Sequence, residues 1–478
     1  MNSITASTKS QGLDQRIWPM IGLIGLFAVI VVKEIALPSV VVTAFGAMGL
    51  LGLFMMGIQY PEMPFYVLVA YVPFSKILTG DFGTQAFALN MTNILTVWAL
   101  VAYVLKRGAQ GQALFSGTPL NRVVLLFCFL GAFSLIMAGF QYGSGYFLSF
   151  LTPLKRWFTP VFFYFLALWI ARDRRTIKTT TALMMVVVTV AALMAIREYT
   201  YIEGGRLESS RVGGIAEHSN TLAAFFVYYM FLFLGFFLVY PKRFGVWLLL
   251  VPFLLCFRGI MVTFSRGAYV AFAAAGMAAC WFRHKMLFLA AILLGVGMLI
   301  NPIFLPSGIR YRMSSLVVDP AATGAIDLEQ NLEGSSSMRL RIWKGAIQMI
   351  KDHPMWGVGY GAFPEFIAHY AEGNIGLRDA HNSYLLVAAE MGLPTLIVFL
   401  LILAMIWHYT YWLYRHSADR AMRAIALGFL SGLTGLLVAN MFGSRMDSQE
   451  VSSYFWMLCG LVMRAVTIER AEARGVTT

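Results

Sequence analysis

Three stretches of this 478-residue chain hold residue types that could do chemistry together. The first is Arg211-Val-Gly-Gly-Ile-Ala-Glu-His218-Ser-Asn220, the second is Ser265-Arg266-Gly267, and the third runs from Ser335 to Pro394 and contains Arg339, Arg341 and His381. A guanidinium fork can engage phosphate oxygens in pairs. Arg211, Arg266 and Arg339 together could therefore bind and neutralise a diphosphate leaving group without a metal ion. A neutral imidazole could take the proton of an attacking hydroxyl, the role open to His381. Gly213 and Gly214 would let the backbone come close to a ligand. Blander readings fit the same residues: a capped helix start with a solvated Arg211, an Arg266 snorkelling to lipid phosphate, and a structural His381.

The elements around the third stretch would have to position these groups. Leu340, Trp343, Ile347 and Ile350 recur at helical spacing opposite Arg341, Lys344, Gln348 and Lys351, the pattern of an amphipathic helix rather than a membrane span. Ser336 or Ser337 can cap its start, and Pro354 lies just beyond its end. A turn through Gly357, Gly359 and Gly361 follows. A second helix is expected from about Asp379, with His381 in its first turn and its stop at Gly392 and Pro394. The positive end of that helix would favour the neutral imidazole.

Composition sets the surroundings. Hydrophobic residues make up 59% of the chain and charged residues 12%, a balance that belongs to a polytopic membrane protein. Apolar runs beginning near Trp18 and continuing to Val466 give about 12 to 14 spans, an all-α polytopic bundle. The net charge of +13 sits in short runs between apolar segments, so topology and lipid headgroups account for it and nucleic acid does not. Lys106 and Arg107, Arg172 to Lys178, Lys242 and Arg243, Arg283 to Lys285, and Arg415 to Arg423 occupy alternate connections, which places these and both termini on the cytoplasmic side. Arg206, Arg211, Arg266 and Arg339 then fall on the outer side, against the rule. No removable signal peptide is read from the N-terminus. The expected organisation is a transmembrane bundle over 1–304, an outer-side helical subdomain with the candidate motif over 305–393, and further transmembrane helices over 394–478.

No phosphate loop, metal-ligand spacing or Asp-x-Asp pair occurs, so neither a metal nor a cofactor is expected. Cys128, Cys256, Cys280 and Cys459 lie in apolar runs and read as small core residues. All 23 Asp and Glu residues lie in connections or at the edges of runs, which weighs against an ion-coupled transporter.

Arg339-Leu-Arg-Ile-Trp343, His353-Pro-Met-Trp-Gly-Val-Gly359, His381-Asn-Ser-Tyr384 and Glu390-Met-Gly-Leu-Pro394 resemble, in order and spacing, the signature of the O-antigen ligase and polymerase family. Arg211 to Asn220 and Ser265-Arg266-Gly267 are similar to two further patches of that family. The resemblance implies a GT-C-like glycosyltransferase in the bacterial inner membrane with its site on the periplasmic side. It also implies an undecaprenyl-diphosphate-linked glycan as donor and inversion without a metal. By motif position His381 would be the base, Arg339 a second catalytic group, and Arg211, Arg266 and Arg339 the diphosphate ligands. His218, Asn220, Arg341, Asn382 and Tyr384 would be supporting, although His218 and His369 also read as structural or solvated. With one large outer-side interval after the eleventh or so run, ligation to the lipid A-core of lipopolysaccharide is favoured over polymerisation or transfer to protein. A lipid-linked glycan transporter is the non-enzyme alternative.

Overall fold

The computed structural model describes residues 59–78, 90–201, 211–301, 334–373, 378–443 and 448–475, with the isolated positions 52, 54, 57, 303, 310 and 446. Residues 1–56 form a unit apart, and the architecture below is that of residues 57–478. The runs expected from Trp18 and Leu37, Arg206, and nearly all of 305–333 lie outside the described residues.

The fold is all-α, with no strand among the described residues. In chain order the helices are α1 Glu62–Tyr71, α2 Met91–Ala109, α3 Pro119–Tyr142, α4 Ser144–Ile170, α5 Arg174–Tyr201, α6 Ser219–Tyr229, α7 Phe231–Val239, α8 Leu250–Thr263, α9 Arg266–Arg283, α10 Lys285–Ile300, α11 Gly334–Asp352, α12 Phe363–Tyr370, α13 Ser383–His416, α14 Arg420–Ala439 and α15 Gln449–Ala473. Short helical turns occur at Ser75–Leu78 and Phe244–Trp247. Seven stretches among the described residues are long and apolar enough to cross a membrane, spanning α3, α5, α6 with α7, the turn before α8 with α8, α13, α14 and α15. The chain is a multi-pass membrane protein. Several other expected spans fall in helices that are shorter or less apolar, α2, α4, α9 and α10 among them.

Small residues let the central helices approach. A Cβ on Gly428 would lie 2.6 Å from the Phe231 carbonyl oxygen, and one on Gly432 would lie 2.1 Å from that of Tyr228. The Gly-x-x-x-Gly face of α14 therefore rides directly on the backbone of α6 and α7, as small-residue faces do where the solvent is lipid. Helix α15 is apolar almost all round and is buried along nearly its whole span.

Basic connections gather at one end of this bundle. Arg174 reaches Glu469 and Glu472, each at 2.7 Å, and Lys178 meets Asp419 at 2.6 Å. Arg283 donates to the Leu238 carbonyl, and Arg172 to Gln112. Burial would raise the Asp419 carboxyl, but the Lys178 ammonium and the α14 N–H groups outweigh it and hold it below the ordinary carboxylate range.

At the opposite end lies the interval after α10. Helix α11 is amphipathic as expected, but its buried stripe is Ile342, Ala346 and Met349, with Trp343 and Ile350 partly covered, while Ile347 is exposed. The stripe packs on Val358, Phe363 and Ile367, which rotates the buried face by about one residue from the one the spacing suggested. Helix α13 begins at Ser383, not near Asp379, so His381 precedes the helix. Its stop at Gly392 is as expected: Gly392 leaves helical geometry at φ 83°, and beyond this kink α13 resumes through Pro394 to His416. Val358 and Gly359 donate to the freed carbonyls of Ala389 and Glu390 at 2.8 and 3.0 Å, and Leu393 donates to Pro354 at 2.8 Å. A Cβ on Gly392 would lie 2.1 Å from the Met355 carbonyl oxygen.

Gly392→Ala would combine a left-handed backbone with that backbone clash, so we expect a loss of roughly 2–4 kcal/mol, read as a lower melting temperature in detergent. Gly276→Ala, whose Cβ would meet nothing within 4 Å, should leave the melting temperature unchanged.

Candidate active site

The end of the bundle away from the basic connections encloses a cavity of about 1030 Å³. Polar side chains from six separate segments line it: Lys76, Asn90 with Thr92, Arg156 on α4, the stretch Arg211 to Thr221, Asp379 with His381, and Ser448 to Glu450. Every long helix that delivers one of these groups has its other end at the basic belt, as α4, α13 and α15 do.

Arg211 is placed by two hydrogen bonds. Its Nε donates to the Thr263 carbonyl at 2.9 Å and its Nη2 to Asn220 Oδ1 at 2.7 Å. Thr263 closes α8, and Arg266 opens α9 three residues later, so Arg211 is seated on that corner. Gly213 and Gly214 do not offer their N–H groups to a ligand. Both donate to the Glu198 carboxylate, at 3.2 and 2.9 Å, which locks the turn that carries Arg211. A Cβ on Gly213 would lie 2.4 Å from the Glu217 carbonyl oxygen, so the glycine there serves the tightness of the turn.

His381 is held by its neighbours on both sides. Its backbone lies in the left-handed region, at φ 49°, which a residue with a Cβ adopts only where the surroundings fix it. Before it, the Trp343 indole of α11 donates to the Ala380 carbonyl at 3.0 Å. After it, Asn382 accepts the N–H groups of Tyr384 and Leu385 as the cap of α13, and Ser383 N–H donates to the Asn440 carbonyl at 2.8 Å. Tyr384 donates to the Leu437 carbonyl at 2.8 Å, tying α13 to α14. Asn382 and Tyr384 thus position His381 rather than lining the cavity.

The structure brings His381, Arg211, His218 and Asn220 to one cavity. Arg266, Arg339 and Arg341 are not among its lining residues. Arg266 Nη2 lies 3.5 Å from Ser336 Oγ in the first turn of α11, Arg339 follows one turn along that helix, and the Arg341 guanidinium lies over Gly373. The arginines are therefore divided: Arg211 lines the cavity, Arg266 reaches the first turn of α11, and Arg339 lies on α11.

Sequence reasoning missed Lys76, Arg156 and Glu450. Arg156 follows Pro153 and Lys155 in α4, where the alternation of basic connections puts it on the same outer side as Arg211. That alternation was the available signal. Lys76 lies 3.6 Å from Glu217 and 3.4 Å from Glu450, whose other oxygen accepts from Ser448 at 2.7 Å. The cavity wall is therefore an interleaved set of cations and carboxylates.

Residues 251–400 match the family model described as O-Antigen ligase. The chain carries an O-antigen ligase family domain. No curated protein matches the chain. The matched segment includes Arg266, Arg339, Arg341, His381, Asn382 and Tyr384, while Lys76, Arg156, Arg211, His218 and Asn220 come from the part before it.

If Glu198 is what holds the Arg211 turn, Glu198→Ala should speed deuterium uptake in the peptide covering residues 211–216 by roughly tenfold, the equivalent of one lost charge-assisted hydrogen bond. Uptake in α9 should not change.

Proposed function

We propose that this protein is an O-antigen ligase that transfers a glycan from undecaprenyl diphosphate to the lipid A-core of lipopolysaccharide. Members of the matched family are O-antigen ligases and polymerases, which supports a glycosyl-transfer enzyme. The observation that carries the reading is the single cavity into which the segment of the family match delivers His381 and the preceding segment delivers Arg211.

In this reading the acceptor hydroxyl gives its proton to the His381 imidazole as its oxygen bonds to the anomeric carbon. The carbon–oxygen bond to the diphosphate breaks on the opposite face, and the leaving diphosphate keeps the electron pair. That geometry inverts the anomeric centre. Arg211, with Lys76 and Arg156 across the cavity, would neutralise the charge that develops on the diphosphate. Arg266 and Arg339 would add positive potential from outside the cavity, Arg339 from the same helix that pins the His381 loop through Trp343. These cations can meet the charge of the leaving group themselves, which favours a metal-independent, cofactor-free reaction.

The proposed setting is the bacterial inner membrane, with residues 305–393 and the cavity on the periplasmic face and both termini in the cytoplasm. The basic belt at the opposite end supports that orientation by the positive-inside rule.

Purified protein in liposomes with the lipid-diphosphate glycan, rough lipopolysaccharide and EDTA tests this directly. Wild type should put glycan on lipid A-core. His381→Ala should lower the rate by roughly 10²–10⁴, the usual contribution of a general base. Arg211→Lys should cost at least about tenfold despite retained charge, since an ammonium cannot hold Thr263, Asn220 and a phosphate with one fork. Full transfer by His381→Ala would refute the base. Longer lipid-linked glycan as the sole product would make the protein a polymerase instead.

A further inference from the structure

The motif that contributes His381 has a neighbour with no role in the reading above. Asp379 lines the same cavity and approaches His381 twice. Its Oδ2 accepts the His381 backbone N–H at 3.1 Å, closing an Asx-type turn, and the same oxygen lies 3.4 Å from the imidazole Nδ1. One carboxylate oxygen thus holds both the backbone that is in the left-handed region and the ring that this backbone aims.

From this we infer that Asp379 is the positioning residue of His381: it holds the proton on Nδ1, leaves the Nε2 lone pair to face the acceptor hydroxyl, and balances the imidazolium once that proton is taken. The inference deepens the assignment of His381 as base and rests on it.

The charge around the imidazole makes such a partner necessary. Lys76, Arg156 and Arg211 line the same cavity, and Arg378 adjoins Asp379 in sequence. Each opposes a second positive charge on His381. The other groups facing the cavity are His218, Glu217 and Glu450, and both glutamates are engaged with Lys76. Among the described residues, Asp379 brings a carboxylate to 3.4 Å from the ring. A base among phosphate-binding cations needs a local anion to accept a proton readily, and a carboxylate on the distal ring nitrogen provides one while fixing the tautomer.

A purely structural Asp379 would need only to accept the backbone N–H. Asp379→Asn separates the two roles, because the amide oxygen can still close the turn while the negative charge is lost. We expect Asp379→Asn to keep the wild-type melting temperature and a donor KM within about twofold, yet to lower kcat roughly 10- to 100-fold, the usual effect of losing a partner that orients a functional histidine. The acidic limb of its pH–rate profile should move to lower pH, since the imidazolium has lost its carboxylate. Carbethoxylation of His381 by diethylpyrocarbonate, followed by peptide mass spectrometry, reads the neutral imidazole without any transfer reaction. Its midpoint should move to lower pH in the variant.

An Asp379→Asn protein with wild-type kcat and an unmoved carbethoxylation midpoint would overturn the inference, and it would do so even where His381→Ala is inactive and the base stands. A moved midpoint in a protein whose His381→Ala form still transfers glycan would leave the Asp379–His381 pair standing and remove the base.

Discussion

The position of the site depends on a bent helix. Where α13 turns at Gly392, the backbone groups of Ala389 and Glu390 leave the helical pattern, and in a membrane protein such groups must find partners nearby. They find them in the turn after α11, through Val358 and Gly359, while the Leu393 N–H donates to the Pro354 carbonyl. Ser134 of α3 donates to the Glu390 carbonyl as well, and the Glu390 side chain accepts from Phe363 at the start of α12. The contact is backbone against backbone, and a Cβ on either Gly357 or Gly392 would sit within 2.5 Å of the opposing chain. This joint fixes α11 against α13. Trp343 on α11 can then reach Ala380 and hold the loop that carries His381.

The cavity is electrostatically mixed rather than uniformly basic. Lys76 is shared by Glu217, whose side chain is 65% exposed, and Glu450, whose side chain is 3% exposed. The pair with Glu217 contributes only about 0–1 kcal/mol. In the proposed reaction the oxygens of an entering diphosphate would replace the Glu217 carboxylate without a large penalty, while buried Glu450 keeps the cation extended toward the cavity. Arg211 is fixed in part by two neutral acceptors, the Thr263 carbonyl at 2.9 Å and Asn220 Oδ1 at 2.7 Å. In the proposed reaction these two cations suit different tasks, one adaptable and one fixed.

The membrane class, the amphipathic α11, and the convergence of His381 with Arg211 were all legible, because each follows from residue type and spacing. What was not legible depends on pairing across the chain. Gly213 and Gly214 look like a ligand cradle until Glu198, on the preceding helix, is seen to take both N–H groups. Arg266 and Arg339 carry the same charge as Arg211, and sequence alone has no means of separating a cavity wall from a place outside it. The start of α13 was misjudged by a few residues because Asp379 and Asn382 are both good caps. Asn382 is the one that binds the helix N–H groups, which releases Asp379 to the loop and puts His381 in a strained conformation ahead of the helix rather than on it. The orienting force on the imidazole is therefore a side-chain carboxylate, and the helix dipole invoked from the sequence acts from beyond the Asn382 cap.

In the proposed orientation, the two ends of the bundle hold their basic residues in different ways. Helix α15 alone, with 25 residues, carries the chain about 37 Å from the cavity to the basic belt. At the belt, Arg174 and Lys178 pair with Glu469, Glu472 and Asp419 on neighbouring helices, which serves assembly of the bundle. At the cavity, Arg211 bonds to a carbonyl and an amide, and Arg156 projects from the middle of α4 between Pro153 and Pro160. In the proposed orientation topology alone would remove these charges from that face. In the proposed reaction their counterpart is an anionic ligand, and a diphosphate held at the membrane surface by its lipid is an anion that would reach a cavity at this depth.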